Sequence, residues 1–254
     1  MKIESFPRKL FLFRNNLCMF AQTQNELHNM KHMSILAVSL LALVACTPEK
    51  KQEADYSQYV NPMIGTDFTG NTYPGAQVPF GMVQLSPDNG LPGWDRISGY
   101  FYPDTTIAGF SHTHLSGTGA GDLYDISFMP VTRPYKEAPA PLGIYSTFSH
   151  NDEAASAGYY RVLLKDYNIN VELTATERCG IQRYTFPEAE ASVFLNLKKA
   201  MNWDFTLDSK IEVVDSTTIR GYRLSQGWSP LQHVYFETRF SKPFVACHMD
   251  TTSI

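Results

Sequence analysis

The stretch GYYRVLLKDYNINVELTATERCGIQRYTF, Gly158 to Phe186, decides the fold. Tyr160, Val162 and Leu164 alternate with Tyr159, Arg161 and Leu163; after the turn sequence KDYN (Lys165 to Asn168), Ile169, Val171 and Leu173 alternate with polar partners. A period of two sends successive side chains to opposite faces, so each run reads as a half-buried strand and the pair as a hairpin. Downstream, RCGIQRYTF, ASVFLNLKK, SKIEVVDSTTIRGYRL and LQHVYFETRF continue as short strands separated by Pro, Gly or Asp-Ser. Upstream, Pro and Gly recur from Pro62 to Pro103, and no stretch there keeps apolar residues at i, i+3, i+4, i+7 long enough for a long helix. The expectation is an all-β protein built from two packed antiparallel sheets.

Composition bounds the function. A chain of 254 residues, 43% hydrophobic and 13% aromatic, can bury a sizeable core. Charged residues make up 18% and the net charge is −4, so there is no basic field to hold a phosphate backbone, and nucleic acid is not an expected partner. Neutral, hydroxyl-rich ligands suit this aromatic-rich, charge-poor surface better.

From Met30 the chain reads MKHMSILAVSLLALVACTPEK: a basic start at Lys31, an apolar run from Ile35 to Ala45, then Cys46. The run is shorter than the ~20 residues of a membrane span. Together with the small residue before the cysteine, the pattern reads as a bacterial lipoprotein signal over 30–45, with Cys46 as the lipidated first mature residue. Residues 1–29 then read as an over-extended start, 46–57 as the anchor and a polar tether, and 58–254 as the folded domain. The expected location is the bacterial cell envelope, on a membrane through the lipid anchor. Cys179 and Cys247 are too few for a disulfide framework and lack the spacing of a zinc knuckle, so both read as structural.

Chemistry concentrates in GFSHTHLSGTGAGDL, Gly109 to Leu123. On a strand His112 and His114 share a face, and Asp122 or Asp125 could complete a metal set; the same pair could hold a loop through hydrogen bonds. Gly117, Gly119 and Gly121 match neither phosphate-binding spacing, and a tight loop is the better reading. In NGLPGWDRISGYFYPD, Trp94 and Asp95 put an aromatic ring beside a carboxylate in a Pro/Gly-rich loop. That suits a sugar's C–H face and hydroxyls; the alternative is a Trp plugging the sandwich edge.

YVNPMIGT (59–66), TYPGAQVPFGMVQLSPD (72–88), GWDRISGYFYPDTTIAGFSHTHLSGTGAGDLYDISFMP (93–130), ASAGYYRVLL (155–164) and VELTATERCGIQRYTFP (171–187) together resemble the N-terminal part of glycoside hydrolase family 92. The resemblance runs from about Tyr56 to at least Phe240. It implies an N-terminal β-supersandwich domain of a calcium-dependent, inverting exo-α-mannosidase acting on mannose-containing N-glycans or mannan. In the family a C-terminal (α/α)6 barrel, absent here, carries the glutamate acid, the aspartate base and the Ca2+ ligands. Inverting hydrolysis needs two carboxyl groups ~6.5–9.5 Å apart. No pair here resembles the family's, so no catalytic residue and no metal ligand is assigned, and the chain alone is expected to be inactive, a truncated piece whose end in ACHMDTTSI has no closing strand pattern.

The resemblance further implies that sandwich loops complete the sugar pocket. Trp94 and Asp95 then contact substrate, His112 and His114 lie in the interface loop and count as substrate-binding, and the Gly65-Thr66-Asp67 turn lies by the pocket floor. GTDF departs from the family's glycine-richer run, which puts Asp67 in question. Two other readings stay open: a stand-alone carbohydrate-binding surface lipoprotein, and a metal-dependent hydrolase built on His112 and His114.

Overall fold

The computed structural model describes residues 54–117, 121–139, 142–187, 190–198 and 204–248. The signal segment, Cys46 and most of the tether lie outside the described residues. In chain order the strands are β1 (Ala76–Gln77), β2 (Gln84–Asp88), β3 (Thr106–Ile107), β4 (Gly109–Ser111), β5 (Ser127–Thr132), β6 (Glu137–Ala138), β7 (Gly143–Ile144), β8 (Ser146–Thr147), β9 (Glu153–Ser156), β10 (Tyr159–Leu164), β11 (Ile169–Ala175), β12 (Gly180–Thr185), β13 (Ala191–Asn196), β14 (Phe205–Val213), β15 (Thr218–Gln226) and β16 (Gln232–Arg239). Among the described residues the helical elements are short 3-10 turns, and the strand pairings are antiparallel.

β10 and β11 form the hairpin read from the sequence, Leu164 pairing Ile169 across the KDYN turn. Asn168 takes the left-handed conformation at φ +51°, which its short polar side chain tolerates. Asp166 ties the turn down by accepting from the Thr147 N–H (2.6 Å) and from Lys136 Nζ (2.5 Å). Tyr160, Val162, Leu164, Ile169, Val171 and Leu173 are all buried. Each contributes about 1.5–3 kcal/mol by leaving water, an upper estimate because unfolded chains already bury some apolar surface.

These side chains belong to the four-stranded sheet β12-β11-β10-β9 and pack on Leu85, Phe110, Met129 and Val131 of the five-stranded sheet β1-β2-β4-β5-β13. A third layer departs from the two-sheet expectation. The three-stranded sheet β14-β15-β16 supplies Ile211, Val234 and Phe236, which close a second core around Ile126, Phe128 and Leu197. β5 is therefore covered on both faces: Met129 and Val131 point into the first core and Phe128 into the second, and the strand is buried throughout. Cys179 and Cys247 depart from their expected role too, since both are exposed free thiols outside either core.

Candidate functional site

Gly93, at φ +149°, opens the 3-10 turn Trp94–Arg96. Arg96 anchors this turn through two charge-assisted bonds to Asp104, Nε to Oδ2 at 2.6 Å and Nη2 to Oδ1 at 2.5 Å, and its guanidinium lies 4.7 Å over the Phe101 ring. Trp94 remains 53% exposed and Asp95 half-buried, so the indole faces outward instead of filling the sandwich edge.

The His-containing segment follows β4 and runs between β2 and residues 124–126: Gln84 N–H donates to His112 O (2.9 Å), His112 N–H to Asp125 O (2.9 Å) and Tyr124 N–H to Thr113 O (3.0 Å). His112 Nδ1 lies 2.8 Å from Ile126 O, and burial holds the ring below the usual histidine range, so a neutral imidazole donates from Nδ1. His114 is fully enclosed. Its Nδ1 lies 2.7 Å from Gln84 O, and its Nε2 lies 2.8 Å from Asp88 Oδ1 and 3.1 Å from Ser111 Oγ. The sequence reading puts His114 among the substrate-contacting residues; the structure spends its polar atoms internally and leaves no side-chain surface for a ligand.

That enclosed histidine holds the Trp94 turn. Gly99 sits at φ +90°, and a Cβ there would lie 2.7 Å from Asp88 Oδ1, 2.8 Å from Tyr124 Cε1 and 2.9 Å from His114 Cδ2, so only glycine lets the backbone pass. The Tyr124 hydroxyl donates to Ile97 O, joining the same turn to residues 121–126. In that segment Leu123, Tyr124 and Ile126 all have positive φ, a concentration of strain that the surroundings must over-determine.

Arg223 of β15 supplies much of that restraint. Fully buried, it donates to Asp125 Oδ1 (2.6 Å), to both Asp204 oxygens (3.3 Å) and to Thr206 Oγ1 (2.9 Å). Asp125 also accepts from Thr113 Oγ1 (2.7 Å), and Asp204 from the Leu123 N–H (3.0 Å). Burial raises Asp204 to about 6, against the partial opposition of Arg223. Sequence reasoning missed Arg223, although the alternation of β15 places it with inward-facing Ile219 and Ser225.

Asp125 is thus an ion-pair partner, and Asp122 accepts from the Trp228 N–H at 2.6 Å. Among the described residues no group of three or more His, Cys, Asp or Glu is placed to hold a metal ion. Asp67 lies half-buried in a turn that closes on itself: its Oδ1 accepts from Phe68 N–H (2.7 Å), and Thr72 N–H donates to Gly65 O (3.2 Å). Gly117 N–H donates to Asn71 O (2.8 Å), which ties this turn to the loop carrying the histidines.

Residues 59–252 match the model of the glycosyl hydrolase family 92 N-terminal domain. A family 92 α-mannosidase from Bacteroides thetaiotaomicron, solved in complex with mannoimidazole, is 43% identical, with a TM-score of 0.70 over 74% of this chain and 26% of that one. A second family 92 glycosyl hydrolase of known structure, ccman5, is 29% identical with a TM-score of 0.58, covering 68% of this chain and 24% of its own. An uncharacterized secreted glycosidase of Arthroderma benhamiae is 26% identical over 172 residues, 64% of this chain and 21% of that protein. The chain therefore spans about a quarter of the solved enzymes and about a fifth of the fungal protein.

Proposed function

The chain belongs to glycosyl hydrolase family 92, as its N-terminal domain, and from that membership we propose that it completes the sugar pocket of an exo-acting, inverting α-mannosidase that trims N-glycans or mannan. The observation that carries this reading is the outward-facing Trp94 beside Asp95, on a turn locked from below by Arg96–Asp104, Gly99 and the Tyr124 hydroxyl. A rigid indole offers a dry face to a pyranose ring, and a neighbouring carboxylate accepts its hydroxyls; fixing both beforehand lowers the entropy cost of binding. Asp67 is assigned to the pocket floor. His112 and His114 act one step removed, holding the loop that holds the turn.

In this reading the general acid, the general base and the Ca2+ ligands come from a C-terminal domain, and the buried carboxylates beneath the loops are committed to other partners, Asp88 to His114 and Asp125 and Asp204 to Arg223. This chain binds and orients the sugar, and alone it releases no mannose. A lipid anchor at Cys46 would hold the enzyme at the bacterial cell envelope. Calorimetric titration of the chain with methyl α-mannoside tests the pocket: Trp94→Ala abolishes the binding heat while leaving the melting temperature in place. Undiminished binding by that variant would remove Trp94 from the site.

A further inference from the structure

The hairpin turn between β15 and β16 carries Trp228, which is 79% exposed, yet its backbone is held from beneath by a carboxylate that is itself 3% exposed. Asp122 Oδ2 accepts from the Trp228 N–H (2.6 Å) and from Gln232 Nε2 (3.3 Å), while Asp122 Oδ1 is buried with no hydrogen-bond partner among the described residues. A Cβ on Gly227 would lie 2.4 Å from Oδ1, so only glycine lets the turn rest directly on the carboxylate. The Gly227 N–H closes the turn on Ser229 O (3.0 Å). These contacts fix the backbone of the turn from which the exposed indole projects.

Asp122 belongs to the strained segment whose Tyr124 hydroxyl holds the Trp94 turn. One loop therefore positions two exposed indoles. The turn itself reads Gly-Trp-Ser-Pro-Leu and carries no charged side chain; the charge beneath it, Asp122, is buried. A flat, exposed aromatic face on a turn without charged side chains suits a neutral pyranose.

We infer that Trp228 is a second aromatic contact for the glycan, stacking on a sugar unit beyond the terminal one, with Asp122 as its positioning residue. The inference rests on the sugar-pocket reading, and its test separates the two. The chain has three tryptophans, Trp94, Trp203 and Trp228, so its 15N-labelled indole N–H groups give three assignable signals. Titration with α-linked mannotriose shifts the Trp228 signal saturably. Trp228→Ala weakens triose affinity roughly fivefold and methyl α-mannoside affinity less than about twofold. Trp228→Phe retains most of the triose affinity, and Asp122→Asn lowers it with the far-UV spectrum unchanged. A shift at Trp94 with none at Trp228, and wild-type affinity in Trp228→Ala, overturns this inference and leaves the pocket standing. A shift at Trp228 alone supports it and removes Trp94. Silence at both overturns both.

Discussion

Arg223 is a fully enclosed cation between two carboxylates, and its value is largest when one partner is removed. Arg223→Met leaves Asp125 and Asp204 buried without their counter-charge and lowers stability by about 3–5 kcal/mol in denaturant unfolding, since a broken buried pair exposes the full desolvation cost. Asp204 adds a pH dependence with a definite sign. Its folded value of about 6 lies above the ordinary 3.8, so the folded chain binds the proton more tightly than the unfolded one. This group's contribution to stability therefore grows as pH falls from 7 through about 6 and levels off near 4. Thermal melts across that range read this contribution as the difference between the native chain and Asp204→Asn, since His112, held neutral by burial, contributes with the opposite sign in both. Gly99→Ala forces a Cβ into Asp88, Tyr124 and His114 at φ +90° and is expected to cost several kcal/mol by the same unfolding measurement. At this scale the sequence marks chemistry without saying which way it faces. HTHLSG marks a polar segment, but whether His114 meets a ligand or Asp88 depends on a partner 26 residues away.

Elements whose two faces differ were readable, and those whose faces are alike were not. The β10–β11 hairpin alternates because one face is core and the other solvent, and the burial follows residue by residue. Leu173→Ala on its inner face is expected to cost about 2–5 kcal/mol, and Asn170→Ala on its outer face within about 0.5 kcal/mol, by paired denaturant titrations. β5, reading SFMPVT, shows no such alternation because it is sandwiched between two cores, and the sequence analysis therefore missed both the strand and the third layer it supports. The site suffered the same loss at Arg223, which acts through contacts with residues distant in sequence, and the register of β15 is what reveals it.

Taken whole, the described surface carries apolar side chains that a closed monomer would cover: Phe80 is fully exposed, and Ile64, Phe68 and Met82 are each more than half exposed. Surface of this kind marks an interface, and in the proposed enzyme a helical domain covers it. The isolated chain is therefore expected to bind a hydrophobic surface dye in its folded state, and a folded chain that leaves the dye dark would speak against the interface. The central claim is that this sandwich serves an α-mannosidase. Its most direct test is to express the reading frame through and past the Ile254 codon and measure mannose release from yeast mannan. The account predicts stepwise release of mannose from the non-reducing ends, slowed by Trp94→Ala. A folded product that releases none would contradict it.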